Sequence, residues 1–312
     1  MCVKESSMVQ GSPSNVFGCT PRTVRKQLQR CAVDADTFPA SRYRQLSQAL
    51  YREAVVWKHL THPNIVPLLG ITPSPLQLVS EWMGGGDLTE YVKRNANVDR
   101  LGLVGAPQLF NDAHSPSFQL SDVADGLSYL HSCDVIHGDL KGVSDLSESH
   151  PTVVLTPGKS SILVDNSGHA RIAGFGFATV TQDHDFIGNG SGDHGPTPRW
   201  IAPEILHCNQ GSYTRQADVF SFAMVVIEVH FGRSLAYRIL PYALLQVFTS
   251  AVPFDDLSSV AATFAVMEGR RPPRPSHPIF TDELWALTRR CWDQDPNLRP
   301  ETSEVLRVLR DV

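Results

Sequence analysis

The octapeptide Val135-Ile136-His137-Gly138-Asp139-Leu140-Lys141-Gly142 constrains this chain more than any other stretch. It reads as a short apolar strand that runs into a polar loop, with an acid and a base two residues apart. Taken alone, the same residues would serve equally well as a solvated surface turn. The flanking chain decides between the two.

Residues 1–22 are punctuated by Ser, Gly and Pro, show no period, and read as an irregular arm. Leu46, Leu50, Ala54 and Trp57 recur at three- and four-residue steps. That spacing predicts an amphipathic helix over 46–60, ending before His62-Pro63. Leu76 to Met83 predicts a strand, broken by Gly84-Gly85-Gly86-Asp87, where successive glycines open torsions that other residues resist. Leu120, Val123, Leu127 and Leu130 share one face of a buried helix over 120–131. Ile162-Leu163-Val164-Asp165 and Ala170-Arg171-Ile172 predict two strands joined through Asn166-Ser167-Gly168, which is hairpin turn chemistry. Ala217 to Phe222 opens a long apolar helix.

Bulk properties exclude several classes. At 312 residues the chain can build one large domain or two lobes around a sizeable core. A net charge of -5 offers nothing to nucleic acid or an acidic membrane. No apolar run is long enough to span a bilayer, and Met1-Cys2-Val3-Lys4-Glu5-Ser6 is too polar for a signal peptide. Cys2, Cys19, Cys31, Cys133, Cys208 and Cys291 lack metal-ligand spacing and read as reduced thiols, so the expectation is an intracellular, cytoplasmic protein.

In order along the chain, these stretches resemble the protein kinase superfamily, and within it the tyrosine-kinase-like group. Val135 to Gly142 resembles the catalytic loop H-R-D-L-K-x-x-N in its serine/threonine form. Arg199-Trp200-Ile201-Ala202-Pro203-Glu204 matches A-P-E, and Ala217-Asp218-Val219-Phe220-Ser221-Phe222 matches the central helix of the large lobe. Cys291-Trp292-Asp293-Gln294-Asp295-Pro296-Asn297-Leu298-Arg299-Pro300 is the most specific match, to C-W-x-x-D-P-x-x-R-P. The implied fold is α+β: a two-lobed kinase with an incomplete β-rich N-lobe (23–83), a hinge (84–87) and a mostly helical C-lobe (88–312).

The resemblance also implies roles. Asp139 accepts the proton of the acceptor hydroxyl, and Lys141 stabilises the phosphoryl group. Lys26, in Val24-Arg25-Lys26-Gln27-Leu28, positions ATP and pairs with Glu53; Met1-Cys2-Val3-Lys4 is a second candidate for that strand. Ser80 stands at the gatekeeper position, and Glu81 and Met83 offer backbone groups to the adenine. Asp218 bonds the catalytic-loop backbone, and Arg299 pairs with Glu204. ATP and Mg²⁺ are the implied cofactors. The implied partner is a protein substrate or binding partner, and the chain is expected to be a monomer.

Four departures from the pattern bear on chemistry. Gly174 stands where the family has the Asp of A-D-F-G, and the catalytic-loop Asn is replaced by Ser144 or Ser161 depending on alignment. Gly174 and Ser161 thus occupy lost metal-ligand positions, and no metal ligand is expected. Gly138 replaces the Arg of H-R-D, and Gly11 and Gly18 do not form the Gly-rich phosphate loop.

Three interruptions, about 104–119, 143–160 and 230–246, each split a unit that reads well without them. Val143-Ser144 can be written GTGAGT, and Gln119 and Gln246 can be CAG, so the stretches read as translated introns; genuine surface loops are the other reading. Two function classes follow: a serine/threonine phosphotransferase of impaired catalysis, or a pseudokinase acting as a protein-interaction or scaffold module.

Overall fold

The structure, a computed structural model, describes residues 28–33, 39–74, 76–88, 91, 120–142, 160–180, 198–207, 213–231, 252–275 and 280–311. Strands β1 (Leu28–Val33), β2 (Leu68–Pro73) and β3 (Leu76–Glu81) form an antiparallel sheet in the order β1-β3-β2. Its register runs Leu28↔Glu81 to Val33↔Leu76 and Leu68↔Ser80 to Pro73↔Leu76. Along β3, Leu76, Leu78 and Ser80 are buried while their neighbours are half-buried, the two-residue alternation of a strand with one covered face.

Helix α1 (Ala40–Trp57) supplies that cover with Leu46, Leu50, Ala54 and Trp57. It starts six residues before the apolar repeat predicts. Pro39, at φ -55, presets the helical entry, and Ala40 to Gln45 are tolerant helix formers that need no core contact. It ends three residues before the predicted Leu60, because Lys58 and Leu60 turn back onto Ala54 and Trp57 carbonyls.

The segment after α1 fastens the small sheet to the larger body. The His62 ring stacks on Tyr129 at 4.7 Å, and the Thr61 N–H donates to the Tyr129 hydroxyl. Asn64 donates through Nδ2 to the Ala170 carbonyl and accepts from the Ile172 N–H, and the Val66 N–H donates to Ile172.

In the larger body, α2 (Leu120–Ser132) leads into β5 (Val135–Ile136). The hairpin β6 (Ile162–Val164) and β7 (Ala170–Ile172) turns through Gly168 at φ 86, as the Asn166-Ser167-Gly168 run predicts. The two-residue β4 (Gly86–Asp87) extends this hairpin, and β8 (Thr179–Val180) pairs with β5. Four further helices follow α3 (Pro203–His207): α4 (Arg215–Phe231), α5 (Ser259–Met267), α6 (Asp282–Cys291) and α7 (Thr302–Asp311).

Helix α4 is the axis of this body. Every residue from Ala217 to His230 is buried, so over that length it has no solvent face, as a helix apolar nearly all round requires. It runs two residues into the stretch read as the third interruption. His230 is fully buried, its ring 4.9 Å from Phe280. The rest of that stretch, all of the first and residues 143–159 of the second lie outside the described residues. The whole is α+β, with a small helix-covered sheet and a mostly helical second lobe, as the resemblance implies.

The expected Arg299–Glu204 pair is present and bidentate, with Nη1–Oε1 2.7 Å and Nη2–Oε2 2.8 Å. Arg299 also donates to the Asp293 and Gln216 carbonyls and lies over the Phe220 ring, so its side chain has no exposure. The pair ties α3 to the chain just before α7, across an end of α4. Arg299→Ala leaves the Glu204 carboxylate beside a void. Because Glu204 keeps 24% exposure, the loss should sit at the lower end for buried pairs, about 3 kcal/mol. Urea unfolding checks this; a loss below about 1 kcal/mol, the range of surface pairs, would show the bridge to be peripheral.

Candidate functional site

The loop after β5 has no ladder of its own, so its backbone is held by side chains. Asp218, in the first turn of α4 and 1% exposed, accepts from the His137 N–H at 2.8 Å and the Gly138 N–H at 2.9 Å. The His131 Nε2 lies 2.9 Å from the same carboxylate, and its Nδ1 faces the Thr302 hydroxyl at 3.3 Å. His137 is fully buried: its Nδ1 accepts the Asp139 N–H at 3.2 Å, and its Nε2 lies 3.0 Å from the Ala173 carbonyl. The first bond leaves Nε2 as the protonated nitrogen.

Gly138 is obligatory. Its φ is +80, and a Cβ there would stand 2.9 Å from the Phe177 carbonyl oxygen. No arginine fits on this backbone. Asp139 and Lys141 face each other, Nζ to Oδ2 at 3.1 Å, with only 7% and 16% of the Lys and Asp side chains exposed. Beside them burial pushes the Tyr213 phenol up to about 12, with the carboxylates of Asp139 and Asp218 adding to the rise. Tyr213, Ile201, Ala202 and Ile205 line a shallow depression that opens onto Asp139.

Ser161 closes the loop from the other side. Its hydroxyl donates to the Lys141 carbonyl at 3.0 Å and accepts the Lys141 N–H at 2.7 Å, and its own N–H donates to that carbonyl at 3.0 Å. The chain therefore leaves at Gly142 and returns at Ser160 to the same point. Were Gly142 joined to Ser160, the Lys141–Ser161 bond would become the i to i+3 bond of a β-turn. The Gly142 N–H donates to the buried Glu228 at 3.0 Å, and Trp200 Nε1 donates to the same oxygen at 3.1 Å.

Gly174 follows β7 at φ +79 and faces Ser161, whose Cβ would be 3.8 Å from a Cβ on Gly174. Phe175 packs between Trp57 of α1, centroids 5.5 Å apart, and His137 at 5.6 Å. One turn before Trp57, Glu53 reaches the same place: its Oε2 lies 3.6 Å from where a Gly176 Cβ would be. Ser80 is buried on β3, and Glu81 ends that strand, its N–H on the Pro67 carbonyl. Met83 is buried and its carbonyl accepts the Gly86 N–H. The Gly85 N–H donates to Val164, and a Gly85 Cβ would strike Val164 at 2.8 Å, which explains a glycine there. Lys26, and Lys4 with it, lies outside the described residues.

Mg²⁺ does not fit the donors at the family's positions. Gly174 has no side chain, and the Ser161 hydroxyl has already spent its proton and one lone pair on Lys141. Among the described residues no group of three or more His, Cys, Asp or Glu is placed to hold a metal ion. Nor is any described helix long and apolar enough to cross a membrane.

Three supports escaped the reading of the sequence. Glu228 could have been found as a lone acid inside the apolar run of α4. His131 sits at the polar end of a helix, where nothing in the sequence marks its partner. Arg199 donates to the carbonyls of Pro253, Phe254 and Leu257, a cage of backbone groups with no sequence signal. Phe254 adopts φ 57 to supply its share, a rare torsion for a bulky residue.

The family model of protein tyrosine and serine/threonine kinases matches residues 3–309. The chain is 29% identical to serine/threonine-protein kinase STY17 of Arabidopsis thaliana, over 99% of this chain and 44% of that protein. It is 27% identical to serine/threonine-protein kinase STY46 of the same plant, over 94% and 40% respectively. Against serine/threonine/tyrosine-protein kinase HT1 of Arabidopsis thaliana the figures are 28%, 85% and 55%. The chain thus spans about half the length of these relatives.

The two left-handed glycines should respond differently to a side chain. Gly138→Ala should cost about 2–3 kcal/mol, because torsional strain of about 1–2 adds to a clash with Phe177. Gly174→Ala meets nothing closer than 3.8 Å and should cost only the torsional part, about 1 kcal/mol. Urea midpoints of the two variants check the order; equal losses would contradict it.

Proposed function

This chain belongs to the protein tyrosine and serine/threonine kinase family, and on that premise we propose that it is a protein kinase domain impaired in transfer to serine and threonine hydroxyls. The observation that carries the reading is Gly174 facing a Ser161 hydroxyl already committed to the loop backbone. The relatives named as serine/threonine kinases support the reaction class.

In that reaction the acceptor oxygen bonds to phosphorus, the bond to the leaving nucleotide oxygen breaks, and the hydroxyl proton passes to Asp139. The acceptor hydroxyl approaches Asp139 from the shallow depression in front of it, and Lys141 Nζ lies 3.1 Å from that carboxylate. The divalent charge that usually offsets the phosphates finds no side chain at Gly174 and only a committed hydroxyl at Ser161. Such stabilisation is worth several kcal/mol, so the loss slows transfer by about a thousandfold or more.

The same observations support a second reading. The supports of the fold remain, with Asp218 on the loop and Arg299 on Glu204, while the metal positions are gone. That combination suits a pseudokinase that works by binding a protein partner.

The test compares the purified chain with Gly174→Asp, with and without deletion of 143–159, for ATP-dependent labelling of a serine- and threonine-rich protein. Asp is among the residues best tolerated in the left-handed region, and a Cβ at 174 meets nothing closer than 3.8 Å. The unaltered chain should transfer about a thousandfold more slowly than the restored form, and any rise in its melting temperature with ATP should be the same with and without Mg²⁺. Mg²⁺-dependent labelling at equal rates in both would overturn the impaired reading. Labelling by neither form would favour the binding module.

A further inference from the structure

Among the described residues four large hydrophobic side chains form two exposed pairs at helical i, i+4 spacing. Tyr51 and Val55, each 50% exposed, stand on α1; Val260 and Phe264, 68% and 59% exposed, stand on α5. Packing among the described residues leaves both pairs exposed.

Their surroundings carry opposite charge. Arg44, Arg52 and Lys58 are exposed along the same stripe as Tyr51 and Val55. Helix α1 has no exposed carboxylate, because its only acid, Glu53, turns inward towards Gly176. This basic face belongs to a chain of net charge -5. Around Val260 and Phe264 the exposed charges are Asp255, Asp256 and Glu268, with Arg270 at the far end. Burial and the neighbouring Asp256 carboxylate raise the Asp255 carboxyl, while its backbone hydrogen bonds and the Arg199 guanidinium pull it down.

From these two unpartnered faces we infer that the chain associates with itself head to tail, α1 of one copy docking on α5 of the next. Tyr51 and Val55 meet Val260 and Phe264, and the arginines and lysine of one face meet the carboxylates of the other. The contact joins two different surfaces, so each end of a pair keeps one unused face and assembly grows with concentration. The docked face of α1 is the reverse of the one that places Glu53 and Trp57 against Gly176 and Phe175, so a neighbouring copy bears directly on the helix that lines the candidate site.

Sedimentation velocity of the purified chain tests this. The weight-average mass should climb with protein concentration and fall back in high salt, which screens the charged rim. Arg52→Glu should weaken association about tenfold, the scale of one exposed pair turned repulsive. Val55→Glu and Phe264→Glu, both at exposed positions, should each be monomeric with unchanged thermal unfolding. Mixed in equal amounts, the two should form a one-to-one dimer that grows no further, since each contributes one intact face. A mass independent of concentration, a variant that still associates like the parent, or a mixture that stays monomeric would overturn the inference.

Discussion

Asp218 accepts the His137 N–H at Oδ2 and the Gly138 N–H at Oδ1 while His131 sits against Oδ2, with Asp218, His131 and His137 all buried. A carboxylate held away from water is costly unless its lone pairs are filled, and here the filling groups are the loop itself. Its place in the first turn of α4 adds the favourable end of the helix dipole. The loop therefore takes its shape from the buried central helix of the larger lobe, and the facing of Asp139 and Lys141 follows from that anchor.

The Asp218 anchor explains how the site can lose parts and keep its form. Gly138 and Gly174 share nearly the same torsion, yet one is pressed against Phe177 and the other would meet only Ser161, at ordinary contact distance. The first is required by the fold. The second is not demanded by packing, since a Cβ at 174 would meet only Ser161 at ordinary contact distance. Ser161 shows the same separation: its hydroxyl closes the loop against Lys141, which is structural, and so is withdrawn from ligand duty.

Much of this was legible in the residues. The alternation of Leu76, Leu78 and Ser80, the repeat of Leu46, Leu50, Ala54 and Trp57, and the Asn166-Ser167-Gly168 turn follow from local stereochemistry. The Arg299–Glu204 bridge, joining residues far apart in sequence, was reachable only through the family resemblance. Glu228, His131 and the carbonyl cage around Arg199 were not legible, because each depends on where distant backbone groups arrive in space. The stack of Trp57, Phe175 and His137 is of that kind too: three rings on three elements, none marked by its neighbours. The start of α1 was misplaced because Pro39 and tolerant helix formers extend a helix past its apolar stripe.

The central claim is that a kinase scaffold persists here without a grip on a divalent ion. Calorimetric titration of the chain with a non-hydrolysable ATP analogue, once in EDTA and once in excess Mg²⁺, addresses it most directly. The account predicts no binding in either, or dissociation constants that agree within about threefold, since the protein offers the metal nothing. A constant about tenfold or more tighter with Mg²⁺ would mean that the protein does hold the metal, and would contradict the account.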